Sequence, residues 1–370
     1  MAAAGPPSAR AGEPQRGHRQ WAGLARAPFI STVFGACLLA TLASCDRGTE
    51  SGESPSRLVL YVSADDYLAR EIVRVFQEES GIRVEMVGDS EATKTTGLVN
   101  RIRNERDNPQ ADVFWSSEAF AMIQLAEEGL LDPFIADLSP PHLTGDDFLW
   151  HGFASRARVI VYSPERLAPD EVPQTWMELS NPKWRGRIVM ADPRFGTTRG
   201  HMGAMRAYWG AEEFQTFLNG LAANGVQMLT SGNAGVVQTV ASGEADLGMT
   251  DTDDVWAAQR EGLHVELVYP AHGQPSVEGE GTLLIPNTVG LVKKGRSDAA
   301  AEQFVAFLLS DRVARMMAES DSHNIPAQES IAVEYPQYAV RNPLHIDLSE
   351  AAAEMDEAVR MAMEIIGRGQ

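Results

Sequence analysis

Short apolar runs alternate with amphipathic segments along most of this chain. Leu58–Val62 is a continuous apolar run, typical of a strand that is buried on both faces. The apolar residues from Leu68 to Phe76 then recur at the spacing of one helix face. The alternation continues to a last amphipathic helix, predicted over residues 350–366. This order predicts an α/β fold in which helices flank mostly parallel sheets.

The first 57 residues do not follow this pattern. A leader with four Arg and one Glu precedes an apolar run from Phe29 to Ala43. That run is about 15 residues long, which is shorter than the roughly 20 residues that span a bilayer as a helix. Small residues then precede Cys45, as in a bacterial lipoprotein signal. We therefore expect residues 1–44 to be removed, the thiol of Cys45 to be acylated, and the chain to be exported.

Two alternatives to this lipid anchor remain open. The segment could be an ordinary secretory signal followed by an incidental Cys, and Cys37 offers a weaker competing site after Phe34-Gly35-Ala36. Residues 45–57 are polar, rich in Ser and Gly, and contain Pro55, so they are predicted to form a flexible tether.

Composition argues against several classes of function for this chain. The 370 residues carry 31 Lys+Arg and 51 Asp+Glu, for a formal net charge of -20, which argues against binding to nucleic acid. Of the two Cys residues, Cys37 would leave with the signal and Cys45 would carry the lipid, so the mature chain would contain neither a disulfide nor a catalytic thiol. The eight His are scattered, and no G-x-S-x-G, Walker A or H-E-x-x-H motif is present. A binding protein that needs no catalytic cofactor is therefore favoured over an enzyme.

Candidate binding residues follow the predicted strands, because ligands of open α/β sheets bind beyond the carboxyl ends of the strands. The polar side chains selected as solute ligands in these loops are Ser63, Thr93, Thr95, Ser117, Ser231, Asn233 and Thr252. The acidic side chains selected as metal ligands are Asp65, Glu118, Asp253 and Asp254.

Each of these residues also has a simpler structural interpretation. Asp65, Asp89, Asn233 and Asp253 could be helix N-caps, each contributing about 1 kcal/mol. The acidic run Asp251–Asp254 is harder to explain by capping, since three carboxylates within four residues repel one another unless solvent or a cation intervenes. The run lacks the glycine and the terminal glutamate of an EF-hand loop.

Six segments together resemble the ferric-iron-binding branch of the type II periplasmic binding proteins, family 1 extracellular solute-binding proteins of ABC importers. They are LVLYVSADD (58–66), EATKTTGLVNRI (91–102), NPQADVFWSSE (108–118), TWMELSNPKWRGRIVMADP (175–193), SGNAGVVQTVASGEADLGMTDTDD (231–254) and GTLLIPNTVGLVKKG (281–295). The segments extend over nearly the whole predicted mature chain and keep the order of the family.

This resemblance implies two α/β lobes joined by two crossing segments that close on a ligand by hinge motion. It places the first lobe at residues 58–155 plus 284–370 and the second lobe at 156–283. It also implies a monomer that delivers a small solute to the permease and ATPase of an ABC importer.

The same resemblance exposes one departure from the family. Iron-binding members resemble one another in having two adjacent Tyr residues in the second lobe, and that position falls here on Asp253-Asp254. A cleft built from carboxylates is still a hard-oxygen site. It suits ferric iron or another metal ion as the transported ligand, with Asp253 and Asp254 opposite Asp65 and Glu118.

Two other functions stay open at this stage. The same transport role could serve an organic ligand such as thiamine, a polyamine or an aminophosphonate. A secreted metal-dependent hydrolase is a more remote alternative, because no nucleophile or activated water is paired with a general base.

Overall fold

The computed structural model describes residues 57–89, 95–135, 143–293 and 299–367. The predicted signal peptide, Cys45, Thr93 and all but the last residue of the predicted tether lie outside these residues. Within the described ranges, no helix is long and apolar enough to cross a membrane.

Eleven strands are assigned in the part of the chain that the structure describes. They are β1 (Arg57–Val62), β2 (Arg83–Gly88), β3 (Val113–Ser116), β4 (Leu131–Asp132), β5 (His151–Tyr162), β6 (Ile188–Ala191), β7 (Gln227–Leu229), β8 (Leu247–Asp251), β9 (Glu266–Val268), β10 (Leu284–Val292) and β11 (Ile325–Pro326).

Eleven α-helices are assigned in the same described ranges. They are α1 (Asp66–Ser80), α2 (Thr96–Asn104), α3 (Phe120–Glu127), α4 (Gly196–Trp209), α5 (Ala211–Ala223), α6 (Gly232–Ser242), α7 (Thr252–Arg260), α8 (Ala299–Leu308), α9 (Asp311–Glu319), α10 (Glu329–Ala332) and α11 (Leu348–Ile365).

The strands form a continuous path in the order β2-β1-β3-β10-β5-β8-β6-β7. Strands β2, β1 and β3 are parallel to one another, and so are β8, β6 and β7. Antiparallel strands β10 and β5 join these two groups. We call the half around β1–β3 the first lobe and the half around β6–β8 the second lobe. The predicted two-lobed α/β fold with two crossing strands is confirmed.

The crossing strands are longer than the sequence pattern predicts. The apolar pattern predicted strands at 159–162 and 288–292, but β5 begins at His151 and β10 at Leu284. All 12 residues of β5 are buried, including polar ones that break the apolar run. The predicted lobe boundaries fall inside β5 and at the first residue of β10. The exact boundaries stay a prediction.

Apolar side chains form separate cores on the two faces of each lobe. Helix α11 contributes to two of these cores. Ala351 and Met355 pack in the first-lobe cluster that contains Phe120, whereas Ala358 and Ala362 pack in a second-lobe cluster. One helix therefore contacts both lobes.

Candidate functional site

A small cavity of about 50 Å³ lies between the two lobes. The residues that line it follow strands of both lobes, as expected for ligand sites at the carboxyl ends of parallel strands. They are Asp65, Ser117, Arg156, Ala191, Asp192, Phe195, Gly196, Thr197, Thr198, Leu229, Thr230, Gly232, Asn233, Asp251, Asp253 and Asp254. Five predicted ligands, Asp65, Ser117, Asn233, Asp253 and Asp254, are therefore brought together.

Arg156 extends from the crossing strand β5 into this cavity. Its Nη1 donates to Asp253 Oδ2 at 2.9 Å, and its Nη2 donates to the carbonyl oxygen of Ser117 at 2.6 Å. Its Nε lies 3.4 Å from Asp251 Oδ2. Burial opposes the charge of Arg156, but Asp253 and Asp251 outweigh this effect and raise the pKa of the guanidinium. The group is therefore a permanent positive charge in the cleft.

Arg158, two residues further along the same strand face, is completely buried. Its Nη1 donates to Asp251 Oδ1 at 2.7 Å, which places an ion pair directly across the β5–β8 ladder. Asp251 also accepts hydrogen bonds from Thr197 Oγ1 and from Asn233 Nδ2, the latter at 2.8 Å. One buried ion pair thus fixes two polar side chains that line the cavity.

Two histidines extend the hydrogen-bond network of Arg158. Arg158 Nε donates to His201 Nδ1 at 3.2 Å, the Nε2 atoms of His201 and His272 lie 3.0 Å apart, and His272 Nδ1 lies 2.9 Å from the carbonyl oxygen of Gly281. This pattern is satisfied when both rings are neutral, with one proton on His201 Nε2 and one on His272 Nδ1. Burial lowers the pKa of His201 well below its usual value and that of His272 to about 4.

The acidic run at the start of α7 forms a compact group of oxygens. One carboxylate oxygen from each of Asp251, Asp253 and Asp254 lies within 4.8 Å of the others. Asp251 and Asp253 are buried, and Asp254 is partly exposed. Carboxylate oxygens at this spacing can hold a hard cation.

Three hydroxyl side chains of the first lobe contact one another beside the cavity. Thr95 Oγ1 donates to Ser63 Oγ at 3.2 Å, and Ser63 Oγ lies 3.4 Å from Ser117 Oγ. The backbone N–H of Ser117 also donates to Ser63 Oγ at 3.0 Å. Of these three predicted ligands, only Ser117 lines the cavity, and Ser63 contacts both Ser117 and Thr95.

Glu118 is buried, and its carboxylate does not line the same cavity. It accepts hydrogen bonds from the backbone N–H groups of Phe120 at 2.6 Å and Ala121 at 3.1 Å, at the beginning of α3. It borders a neighbouring cavity of about 170 Å³ together with Thr95, Arg199 and others. Burial raises the pKa of Glu118 to about 7, although Ala121 and Arg199 oppose the shift. Its role as a metal ligand stays a prediction.

The remaining predicted residues occupy different positions. Thr252 is buried, and its Oγ1 accepts a hydrogen bond from the backbone N–H of Ala157 at 3.1 Å. Ser231 is exposed at the start of α6 and does not line the cavity. The capping interpretation does not apply to Asp65, which stands at the N-cap of α1 without a capping hydrogen bond from its side chain.

Sequence reasoning missed the two arginines of β5. A signal for them existed, since Arg156 and Arg158 alternate with Ala157 at the start of an apolar segment. Buried charges are retained when they are paired, so such residues predict acidic partners elsewhere in the chain. The partners, Asp251 and Asp253, lie more than 90 residues away.

Comparisons with known proteins agree with this architecture. The chain is similar to iron uptake protein A1 of Synechocystis sp., with 26% identity over 315 residues, 79% of this chain and 84% of the relative. It is 25% identical over 264 residues to the major ferric iron-binding protein of Neisseria meningitidis serogroup A, covering 68% of this chain and 76% of the relative.

A solved structure gives the same fold. The crystal structure of iron-bound HitA from Pseudomonas aeruginosa matches with a TM-score of 0.73 and 24% identity, covering 84% of this chain and 99% of that chain. The family model for bacterial extracellular solute-binding proteins matches residues 58–320. This family consists of binding proteins rather than enzymes, so the expectation of a non-catalytic solute binder is confirmed. The chain belongs to the family of bacterial extracellular solute-binding proteins.

Proposed function

We propose that this chain captures ferric iron in its interlobe cleft and delivers it to an ABC importer. The observation that supports this function best is the group of three carboxylate oxygens from Asp251, Asp253 and Asp254, within 4.8 Å of one another, beside a cavity of about 50 Å³. Pockets for organic ligands are usually roughly 300–1,000 Å³, so this cavity fits an ion far better. The named iron-uptake relatives support the same cargo.

The cargo is tested by calorimetry on protein stripped with a chelator. We expect ferric citrate to bind to the wild-type chain and to lose most of its affinity in the double variant Asp253→Asn/Asp254→Asn. Asp66→Asn is the matched control, because Asp66 is exposed and pairs with Arg70 on the outer side of α1. Heat from thiamine, a polyamine or an aminophosphonate, with none from ferric citrate or divalent metals, would contradict the proposal.

An aminophosphonate is the second candidate cargo, and one observation favours it. Arg156 reaches the cavity beside Asp253 and Asp254, so a positive and a negative subsite are adjacent. Such a ligand requires the lobes to separate further than they do in this structure. A thermal-shift series discriminates, since a ligand at 100 times its Kd adds about 2.7 kcal/mol of stability.

We further propose that the chain is a monomeric periplasmic lipoprotein held to the membrane through Cys45. The short apolar run before Cys45 and the polar residues after it support this anchor. Metabolic labelling with a fatty acid should mark the wild-type chain and the Cys37→Ala variant but not Cys45→Ala. Equal labelling of all three chains, or of none, would contradict the anchor.

A further inference from the structure

Helix α7 meets the first lobe at both of its ends. Its first turn carries Asp253 and Asp254, which line the cavity together with Asp65 of the first lobe. Its last residue is Arg260, six residues beyond Asp254, which a helix places about 9 Å further along its axis. Between these ends, Val255 is buried in a second-lobe core, so the helix itself belongs to the second lobe.

The carboxyl end of α7 contacts residues that follow α9. Arg260 forms an ion pair with Asp321, and its Nη2 also contacts the imidazole of His323. Trp256, one turn before Arg260, packs against His323 and Tyr338, with ring centroids 6.0 and 5.1 Å apart. Tyr338 stacks on His323 at 4.6 Å. We call these five side chains the α7 contact.

The residues on the far side of the α7 contact are fixed to the first lobe. Met317 of α9 is buried in the first-lobe core around β1. The backbone N–H of Asn324 donates to the carbonyl oxygen of Met317 at 3.1 Å, and the hydroxyl of Ser322 hydrogen-bonds to that of Tyr67 on α1. Residues 320–324 are thereby held by α9 and α1, so the α7 contact joins the two lobes.

We propose that the α7 contact is a latch that holds the lobes together around the cargo and slows its release. This inference rests on the proposed function, because it gives the contact a part in retaining a cation. A bound cation holds the first turn of α7 near the first lobe, and the α7 contact holds the last turn. Both ends of one short helix must therefore leave the first lobe when the cleft opens.

The aromatic rings contribute more to this latch than the ion pair does. The side chains of Arg260 and Asp321 are 41% and 56% exposed, and exposed ion pairs stabilise little. Trp256 and His323 are partly buried, so their ring contact is shielded from solvent better than the ion pair is. Loss of Trp256 should therefore weaken the latch more than loss of Arg260.

The first test measures cargo release from chelator-stripped protein loaded with Tb³⁺, an oxygen-seeking trivalent ion. Mixing with excess dipicolinate, which forms a luminescent complex with Tb³⁺, gives the dissociation rate. In Trp256→Leu we expect dissociation about tenfold faster than in the wild type, because ring contacts between the lobes are lost. In Trp256→Phe a ring is kept, so the rate should stay within about threefold of the wild type.

Arg260→Gln and Arg315→Gln form a matched pair of arginine variants. Arg315 lies on α9 and pairs with Glu334 at 2.7 Å, and both side chains are 41% exposed, much as in the ion pair of Arg260. Arg260→Gln should release Tb³⁺ about threefold faster than the wild type, whereas Arg315→Gln should release it at the wild-type rate. Wild-type rates in Trp256→Leu, or equal acceleration in Arg315→Gln, would overturn the latch while leaving the cation cargo intact.

Small-angle X-ray scattering on the stripped proteins tests the latch without cargo. The double variant Trp256→Leu/Arg260→Gln should have a larger radius of gyration than the wild type and Arg315→Gln, because its lobes separate more often. Equal radii in the three chains would overturn the latch whatever the release rates are. If Trp256→Leu does not fold, Arg260→Gln decides by the same two measurements. If the wild type binds neither Tb³⁺ nor ferric citrate, the proposed function fails, and the scattering still decides whether the α7 contact holds the lobes together.

Discussion

Different interactions hold the two walls of the cleft in place. The second-lobe wall is organised by buried charges, in which Asp251 and Asp253 meet the guanidinium groups of Arg158 and Arg156. The first-lobe wall is organised by neutral hydroxyl groups, with Ser117 held by Ser63, and a single carboxylate, Asp65, borders the cavity. The comparison indicates that buried ion pairs hold the second wall in place, whereas hydrogen bonds between hydroxyl groups hold Ser117 in the first wall.

Removing one partner of a second-wall ion pair should have the largest effect on stability. Arg158→Met removes the nearer of the two guanidinium groups that pair with the buried Asp251, and breaking such a pair costs about 3–5 kcal/mol. Urea unfolding measures this loss. Arg74→Met removes the partner of two exposed carboxylates, Glu71 and Glu78, and should cost much less, because exposed ion pairs stabilise little. Equal losses in the two variants would show that the second wall is not organised by buried charge.

The histidines behind Arg158 predict an acid sensitivity that the first wall lacks. An unfolded His binds a proton near pH 6.5, but burial lowers the pKa of His272 to about 4 in the fold. The unfolded state therefore binds more protons between these values, so stability is complete above pH 6.5 and falls as the pH drops toward 4. The loss from His272 is on the order of 3 kcal/mol.

This acid sensitivity is measured as the slope of the unfolding free energy between pH 6.5 and 4. His272→Asn should flatten the slope whatever its effect on stability at neutral pH. His264→Asn is the control, because the imidazole of His264 is exposed and pairs with Glu165 on the surface. If the slope were the same in His272→Asn and in the wild type, titration of His272 would not be the cause of the acid sensitivity.

The sequence predicted an α/β fold and the loops that bind the ligand because both follow from local patterns, whereas the two lobes were implied by the family resemblance. Apolar runs and helix faces define most strands and helices, and polar residues after strands must gather at one edge of a parallel sheet. Asn233, Asp253 and Asp254 were found in this way and do line the cavity. Their position directly after a strand was enough to predict that these three residues line the cleft.

Side-chain partners could not be predicted in the same way. Ser63 and Thr95 follow predicted strands as Ser117 does, but their hydroxyls bond to one another, and only the fold decides which one reaches the cavity. Arg156 and Arg158 lie inside a strand that is buried on both faces, so their alternation with Ala157 indicates buried partners but does not identify them. Their pairing with Asp251 and Asp253 depends on the antiparallel register of β5 and β8.

A glycine of α4 tests how closely the two lobes pack behind their walls. A Cβ atom added at Gly200 would lie 2.1 Å from Cδ2 of Phe120, the first residue of α3 in the first lobe. Gly200→Ala should therefore destabilise the chain by about 1–3 kcal/mol, as expected for overpacking. Gly88→Ala is the control, since nothing lies within 4 Å of its added Cβ. Thermal unfolding measures both, and equal values would mean that the lobes are not in tight contact at Phe120.

The smallest effect is expected at the carboxylate of the first wall, and it should appear in binding rather than in stability. Asp65 is partly exposed and borders the cavity, so Asp65→Asn removes one negative charge from a side chain that is not fully buried. We expect the affinity for Tb³⁺ to fall about tenfold, equivalent to roughly 1.4 kcal/mol, while the urea midpoint stays unchanged. Asp66→Asn, one residue further and directed toward Arg70, should leave both quantities unchanged. If Asp65→Asn instead lowered the urea midpoint as Arg158→Met does, the two walls would not differ in kind, because the first wall would then also depend on a charge for folding.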